Sequence, residues 1–150
     1  MGSPLDDFVE SLQEKILEET RQAYGEKVLE RWMNPRFMGR LSSPDGHARI
    51  KGVCGDSMEM FLSFNNERVS AASFMTDGCG STTACGSVAA EMAIGKNPEE
   101  LLEITGEAIE ESLGGLPKAE RHCALLAATA LQEALHEYMI RRTGKTEDRG

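Results

Sequence analysis

A thiol between two glycines, set where the residue pattern changes period, constrains this chain more than any other feature. The stretch is Asp77-Gly78-Cys79-Gly80-Ser81-Thr82-Thr83-Ala84-Cys85. Before it, apolar residues alternate as in strands; after it, they recur at helical spacing to the end. Glycine on both sides permits positive φ and leaves the thiol uncovered. A helix starts here, so its unpaired N–H groups and dipole favour negative charge on Cys79, which lowers a thiol pKa and favours the thiolate. The competing reading is a small buried cysteine in a turn. The rest of the chain has to decide between them.

A length of 150 residues, 40% apolar and 27% charged, suits one soluble domain with a real core. The net charge of −9 argues against nucleic acid and anionic membranes as partners. No apolar run approaches the ~20 residues of a membrane span, and the acidic start lacks a signal-peptide profile. Four cysteines spread over 70 positions do not form a secreted disulfide framework. A cytoplasmic protein with reduced thiols is expected.

Ser3-Pro4-Leu5-Asp6 has the cap, proline and acid of a helix start. Leu5, Phe8, Val9, Leu12 and Ile16 then mark an amphipathic helix continuing past Arg21, whose apolar face is expected to pack on the core. Gly25 breaks it, and a second helix runs from Glu26 to Met33. Residues 36–46 read as a loop, and His47 to Val53 as a short strand. Ser57 to Phe64 alternates with Met58, Met60, Leu62 and Phe64 on one face. Asn65-Asn66 turns the chain into a returning strand, Arg68 to Thr76. The hairpin brings Cys54-Gly55-Asp56 and Asp77-Gly78-Cys79 to one end of the sheet. Helices follow over 81–94, after the Asn97 cap with Pro98 and Glu100, and from Thr105 to Leu113. The last helix has His122-Cys123 at its start, and a polar, frayed tail is expected from Thr143-Gly144.

Cys123 thus repeats the logic of Cys79, a thiol at a helix N-terminus. If the two helix starts meet at the hairpin's open end, Cys54, Cys79 and Cys123 gather with Asp56 and His122 beside them. Three sulfurs with an oxygen or nitrogen suit zinc or an iron–sulfur cluster. No Cys-x-x-Cys pair is present, which argues against zinc-knuckle and thioredoxin-type sites.

At these residues the chain resembles the IscU/NifU-type iron–sulfur cluster assembly scaffolds (the NifU N-terminal domain type), from about Ala23 to Tyr138. The resemblance rests on Ala23-Tyr24-Gly25-Glu26-Lys27-Val28 with Asn34-Pro35-Arg36, on Cys54-Gly55-Asp56, on Gly78-Cys79-Gly80-Ser81, and on Leu116-Pro117 with His122-Cys123-Ala124-Leu125-Leu126-Ala127. It implies an α+β fold, a small, mostly antiparallel three-stranded sheet covered by helices, with an added N-terminal helix. It implies a transient [2Fe–2S] cluster held by Cys54, Cys79 and Cys123, with Asp56 or His122 completing the set. Sulfur would come from a cysteine desulfurase partner, and the cluster would pass to apo iron–sulfur recipient proteins. A homo-oligomer is implied in some states, and zinc can fill such sites on isolation. The expected division is an extension over 1–22, the scaffold domain over 23–142 and a polar tail over 143–150. Cys85 and Lys118 are accessory candidates, Cys85 being otherwise a core thiol and Lys118 a solvated charge.

The chain also departs from the family. Leu116-Pro117-Lys118-Ala119-Glu120 lacks the second proline and the Val-Lys of the bacterial chaperone-docking motif. The 43-residue step between Cys79 and Cys123 leaves little room for the insertion of the zinc-bound SufU branch. Two other functions compete with the non-enzymatic scaffold. One is a SufU-like zinc-dependent sulfurtransferase that accepts persulfide sulfur; the other is a structural zinc domain.

Overall fold

The alternating apolar residues build strand β2 (Ser57–Asn65), the centre of a three-stranded antiparallel sheet with β1 (Gly46–Lys51) and β3 (Arg68–Thr76). The computed structural model describes residues 3–53, 55–78 and 80–149; Cys54 and Cys79 therefore lie outside the described residues. Ile50 pairs with Met58 and Met58 with Thr76, so one end of the hairpin carries the segments that lead to both motifs. Met58, Met60 and Leu62 are fully buried, as their period requires. Phe64 is only half-buried, because a register shift between Ser63 and Phe64 turns it aside. There it stacks on Tyr138 at 3.7 Å. The hairpin turn is centred one residue beyond the expected position. Asn65 pairs with Arg68, and Asn66 and Glu67 both take positive φ, as a two-residue mirror-image turn demands.

The helices are α1 (Pro4–Tyr24), α2 (Glu26–Met33), α3 (Gly80–Ala93), α4 (Pro98–Leu101), α5 (Gly106–Ser112) and α6 (Arg121–Arg149), with a 3-10 turn at Lys118–Glu120 before α6. Capping boxes at Ser3 with Asp6 and at Asn97 with Glu100 start α1 and α4, and the Thr105 side chain caps α5. The small residues of α3 bring it close to the sheet and to α2. A Cβ on Gly86 would stand 2.5 Å from the Phe74 ring, and one on Gly80 2.0 Å from the Trp32 ring. Alanines 124, 127, 128, 130 and 134 of α6 are buried with it in the same core.

Two expectations are corrected. The apolar face of α1 does not enter the core: Leu5, Phe8, Val9, Leu12 and Ile16 are 42–69% exposed. The sheet packs against α3 and α6, and α1 makes its contacts with α2 instead. The tail expected to fray from Thr143 continues α6 to Arg149. A single glycine costs a helix only ~1 kcal/mol.

Candidate metal centre

α6 and the turn before it supply the nucleus of the site. Glu120, His122 and Cys123 each offer a ligand atom, and these atoms lie within 4.8 Å of one another. The Cys123 sulfur is 3.6 Å from Glu120 Oε2 and 3.6 Å from His122 Nε2. The other carboxylate oxygen of Glu120 accepts from the Tyr24 hydroxyl at 3.4 Å, tying the turn to the end of α1.

A second group reaches Cys123 from the hairpin. Gly52 N–H donates to the Asp56 carbonyl at 2.7 Å and Gly55 N–H to the Gly52 carbonyl at 3.1 Å, bringing Gly52, Gly55 and Asp56 into a tight turn. Gly55 takes φ +90° within it. This turn presents the half-buried Asp56 carboxylate to α3, where it meets the Thr82 hydroxyl at 3.2 Å. The same hydroxyl lies 3.3 Å from the Cys123 sulfur. Gly78 leaves room for the arrangement, since a Cβ there would fall 2.8 Å from Asp56 Oδ2. Asp77, at the same end, is a structural acceptor: its Oδ1 takes the Ser57 N–H at 2.7 Å, which holds its carboxyl below the usual range.

The electrostatics of Cys123 differ from the helix-start expectation. Burial pushes its thiol up to about 11, the Thr82 hydrogen bond works the other way, and the charges of Glu120 and Asp56 push it further up. Desolvation and two carboxylates outweigh the helix dipole. Cys123 therefore keeps its proton near neutrality until a cation displaces it.

Of the residues singled out in the sequence, Asp56, His122 and Cys123 come together, while Cys54 and Cys79 lie outside the described residues. The described neighbours of both, Asp56 and Gly78, touch each other beside Thr82. Cys85 is fully buried in the core, and its thiol is raised by burial and by the nearby Cys123 and carboxylates. Lys118 is exposed on the 3-10 turn, which instead turns Glu120 towards Cys123. Glu120 and Thr82 escaped the sequence reading. Glu120 stands three residues before Cys123, a spacing that shares a face in a helical turn and could have revealed it. Nothing local marks Thr82, whose contacts span 26 and 41 positions.

This α+β domain gathers thiol, imidazole and carboxylate where a hairpin end meets two helix starts, a donor set able to hold a metal. The comparisons specify the family. The NifU-like N terminal domain model matches residues 23–145, and the chain belongs to that family. It is 42% identical over 125 residues to iron-sulfur cluster assembly scaffold protein IscU 1 of Archaeoglobus fulgidus, covering 83% of this chain and 81% of that one. It is 35% identical over 128 residues to the IscU scaffold protein of Escherichia coli, covering 82% and 99%. Among solved structures, a NifU-like N-terminal protein from Brucella abortus superposes with a TM-score of 0.65 at 21% identity, over 81% of this chain and 97% of that one.

Proposed function

We propose that this chain is a scaffold on which a [2Fe–2S] cluster is built and from which it is passed on, the iron being cargo. The observation that carries the reading is the junction at Cys123. There an imidazole, a thiol and two carboxylates, Glu120 directly and Asp56 through Thr82, face one another at the end of the hairpin. This donor set suits borderline metals such as Fe(II) and zinc. Family membership and the IscU names of its relatives support the same reading.

In this reading Cys54, Cys79 and Cys123 hold the cluster, and Asp56 or His122 is the ligand that leaves. Residues 23–142 are the working unit, with 1–22 as an extension and 143–150 as a polar tail. A cysteine desulfurase supplies persulfide sulfur, which must gain two electrons to become bridging sulfide, so a reductant is required. Apo iron–sulfur proteins receive the product. No helix among the described residues is long and apolar enough to cross a membrane.

Anaerobic reconstitution with Fe(II), sulfide and dithiothreitol tests this. The expected result is a red-brown protein with two iron and two acid-labile sulfide atoms, losing its spectrum to apo-ferredoxin. A colourless protein that keeps zinc and raises desulfurase turnover would identify a sulfurtransferase instead.

A further inference from the structure

Thr82 stands between the two halves of the site. It lies in the first turn of α3, is 1% exposed, and its hydroxyl is 3.2 Å from Asp56 Oδ2 and 3.3 Å from Cys123 Sγ. A threonine hydroxyl has a single hydrogen and two acceptor lone pairs. With Cys123 as a thiol, its S–H is directed to Glu120 Oε2, and the Thr82 O–H donates to the Asp56 carboxylate or to the sulfur. When a metal displaces the thiol proton, the same O–H still has an anionic acceptor on either side. The hydroxyl is therefore satisfied in both states, which matters because a buried polar group without a partner costs ~1–3 kcal/mol. Gly78 adds an independent constraint: a Cβ there would meet both Asp56 Oδ2 and Thr82 Cβ at 2.8 Å, so the pair is packed against backbone that leaves it little freedom.

We propose that Thr82 is a positioning residue that couples Asp56 to Cys123, aiming carboxylate and sulfur at one incoming metal so that they bind as a pair. It touches no metal itself and acts through the two groups it bonds. The inference rests on the metal-handling reading of the site, and adds a residue from α3 to groups carried by the hairpin end and α6. It also assigns Asp56 a partner, this hydroxyl.

The probe is Co(II), added anaerobically to the reduced full chain and titrated against a chromophoric chelator. Sulfur-to-cobalt charge-transfer absorption reports thiolate ligation without any cluster chemistry. Thr82→Val keeps the shape and removes the hydroxyl; it should weaken Co(II) binding about tenfold, the lower range for loss of a group that orients metal ligands. Thr82→Ser should restore affinity to within about twofold of wild type, because it restores the hydrogen bond. In an Asp56→Ala background, Thr82→Val should cost nothing further, since the coupling has already been removed. Unchanged affinity in Thr82→Val, equal loss in Thr82→Ser, or full additivity with Asp56→Ala would each overturn the proposal. If Thr82→Val fails to fold by circular dichroism, Thr82→Ala carries the same comparison without adding bulk. Wild-type protein that binds no Co(II) would overturn the metal centre itself, whereas wild-type binding with an indifferent Thr82→Val would overturn the coupling alone.

Discussion

In the proposed scaffold reading, Asp56 is a hard oxygen ligand among soft thiolates, where a permanent cluster would be served better by a fourth sulfur. Its proposed value lies in leaving. Asp56→Cys should still assemble a cluster but pass it more slowly to an apo-acceptor, followed by circular dichroism of the transferred cluster. Equal transfer rates from wild type and variant would remove Asp56 from the release step. Elsewhere on the sheet, a carboxylate has a purely structural role. Burial pushes the Glu59 carboxyl up, but the His47 hydrogen bond and the charges of Arg40 and His47 bring it below its ordinary 4.5. A carboxyl with a depressed folded pKa stabilises the fold above its unfolded value, and that contribution is lost as pH falls through the folded one. Glu59→Gln should therefore lower the melting temperature near neutrality and lose less further stability than wild type as pH drops below about 4.5. Parallel melting curves down to acid pH check this; identical acid limbs would mean the His47–Glu59 pair, 2.5 Å apart, contributes nothing.

α3 shows how an element can defy its local propensity. Gly86 costs a helix up to ~1 kcal/mol relative to alanine, so Gly86→Ala is favoured by propensity alone. The added methyl would stand 2.5 Å from the fully buried Phe74 ring, and such overpacking typically costs ~1–3 kcal/mol. Packing should win, leaving Gly86→Ala less stable by roughly 1 kcal/mol in urea unfolding; a more stable variant would show that α3 can retreat from the sheet. The same contest decides what was legible in the sequence. The hairpin, the caps at Ser3 and Asn97 and the small-residue character of α3 are local patterns, and each yields the element observed. His122 and Cys123 were legible from a motif, and Asp56 from its place beside the hairpin end. Thr82 was not, because its contacts arise only when the hairpin, α3 and α6 come together. The α1 face misled for a related reason: helical period reports that Leu5, Phe8, Val9 and Leu12 share a side, but not whether the core has room for them.

Taken whole, the molecule has one continuous hydrophobic core. Phe74, Met58, Met60, Leu62, Val88, Leu101, Ile109 and Leu131 are essentially excluded from solvent, and the core runs continuously through the sheet, α3, α5 and α6. The candidate metal centre lies at one end of this body, where the turn between Gly52 and Asp56 meets α3 and α6, and does not stand in for a hydrophobic core. A structural zinc domain would lose its small fold when the metal is chelated, whereas the proposed scaffold should not. Protein stripped with a chelator should keep its far-ultraviolet circular dichroism and melt in one cooperative transition. Zinc at about a hundredfold excess over its dissociation constant then adds ~2.7 kcal/mol, since it binds the folded state alone. For a chain of this size each kilocalorie raises the melting temperature by ~2–4 °C, so a rise of roughly 5–10 °C is expected. Collapse of the helical signal on chelation would make the metal a structural requirement and remove the case for cargo. A folded, cooperative stripped protein whose melting temperature climbs with zinc concentration is the behaviour of a domain built to be loaded and emptied.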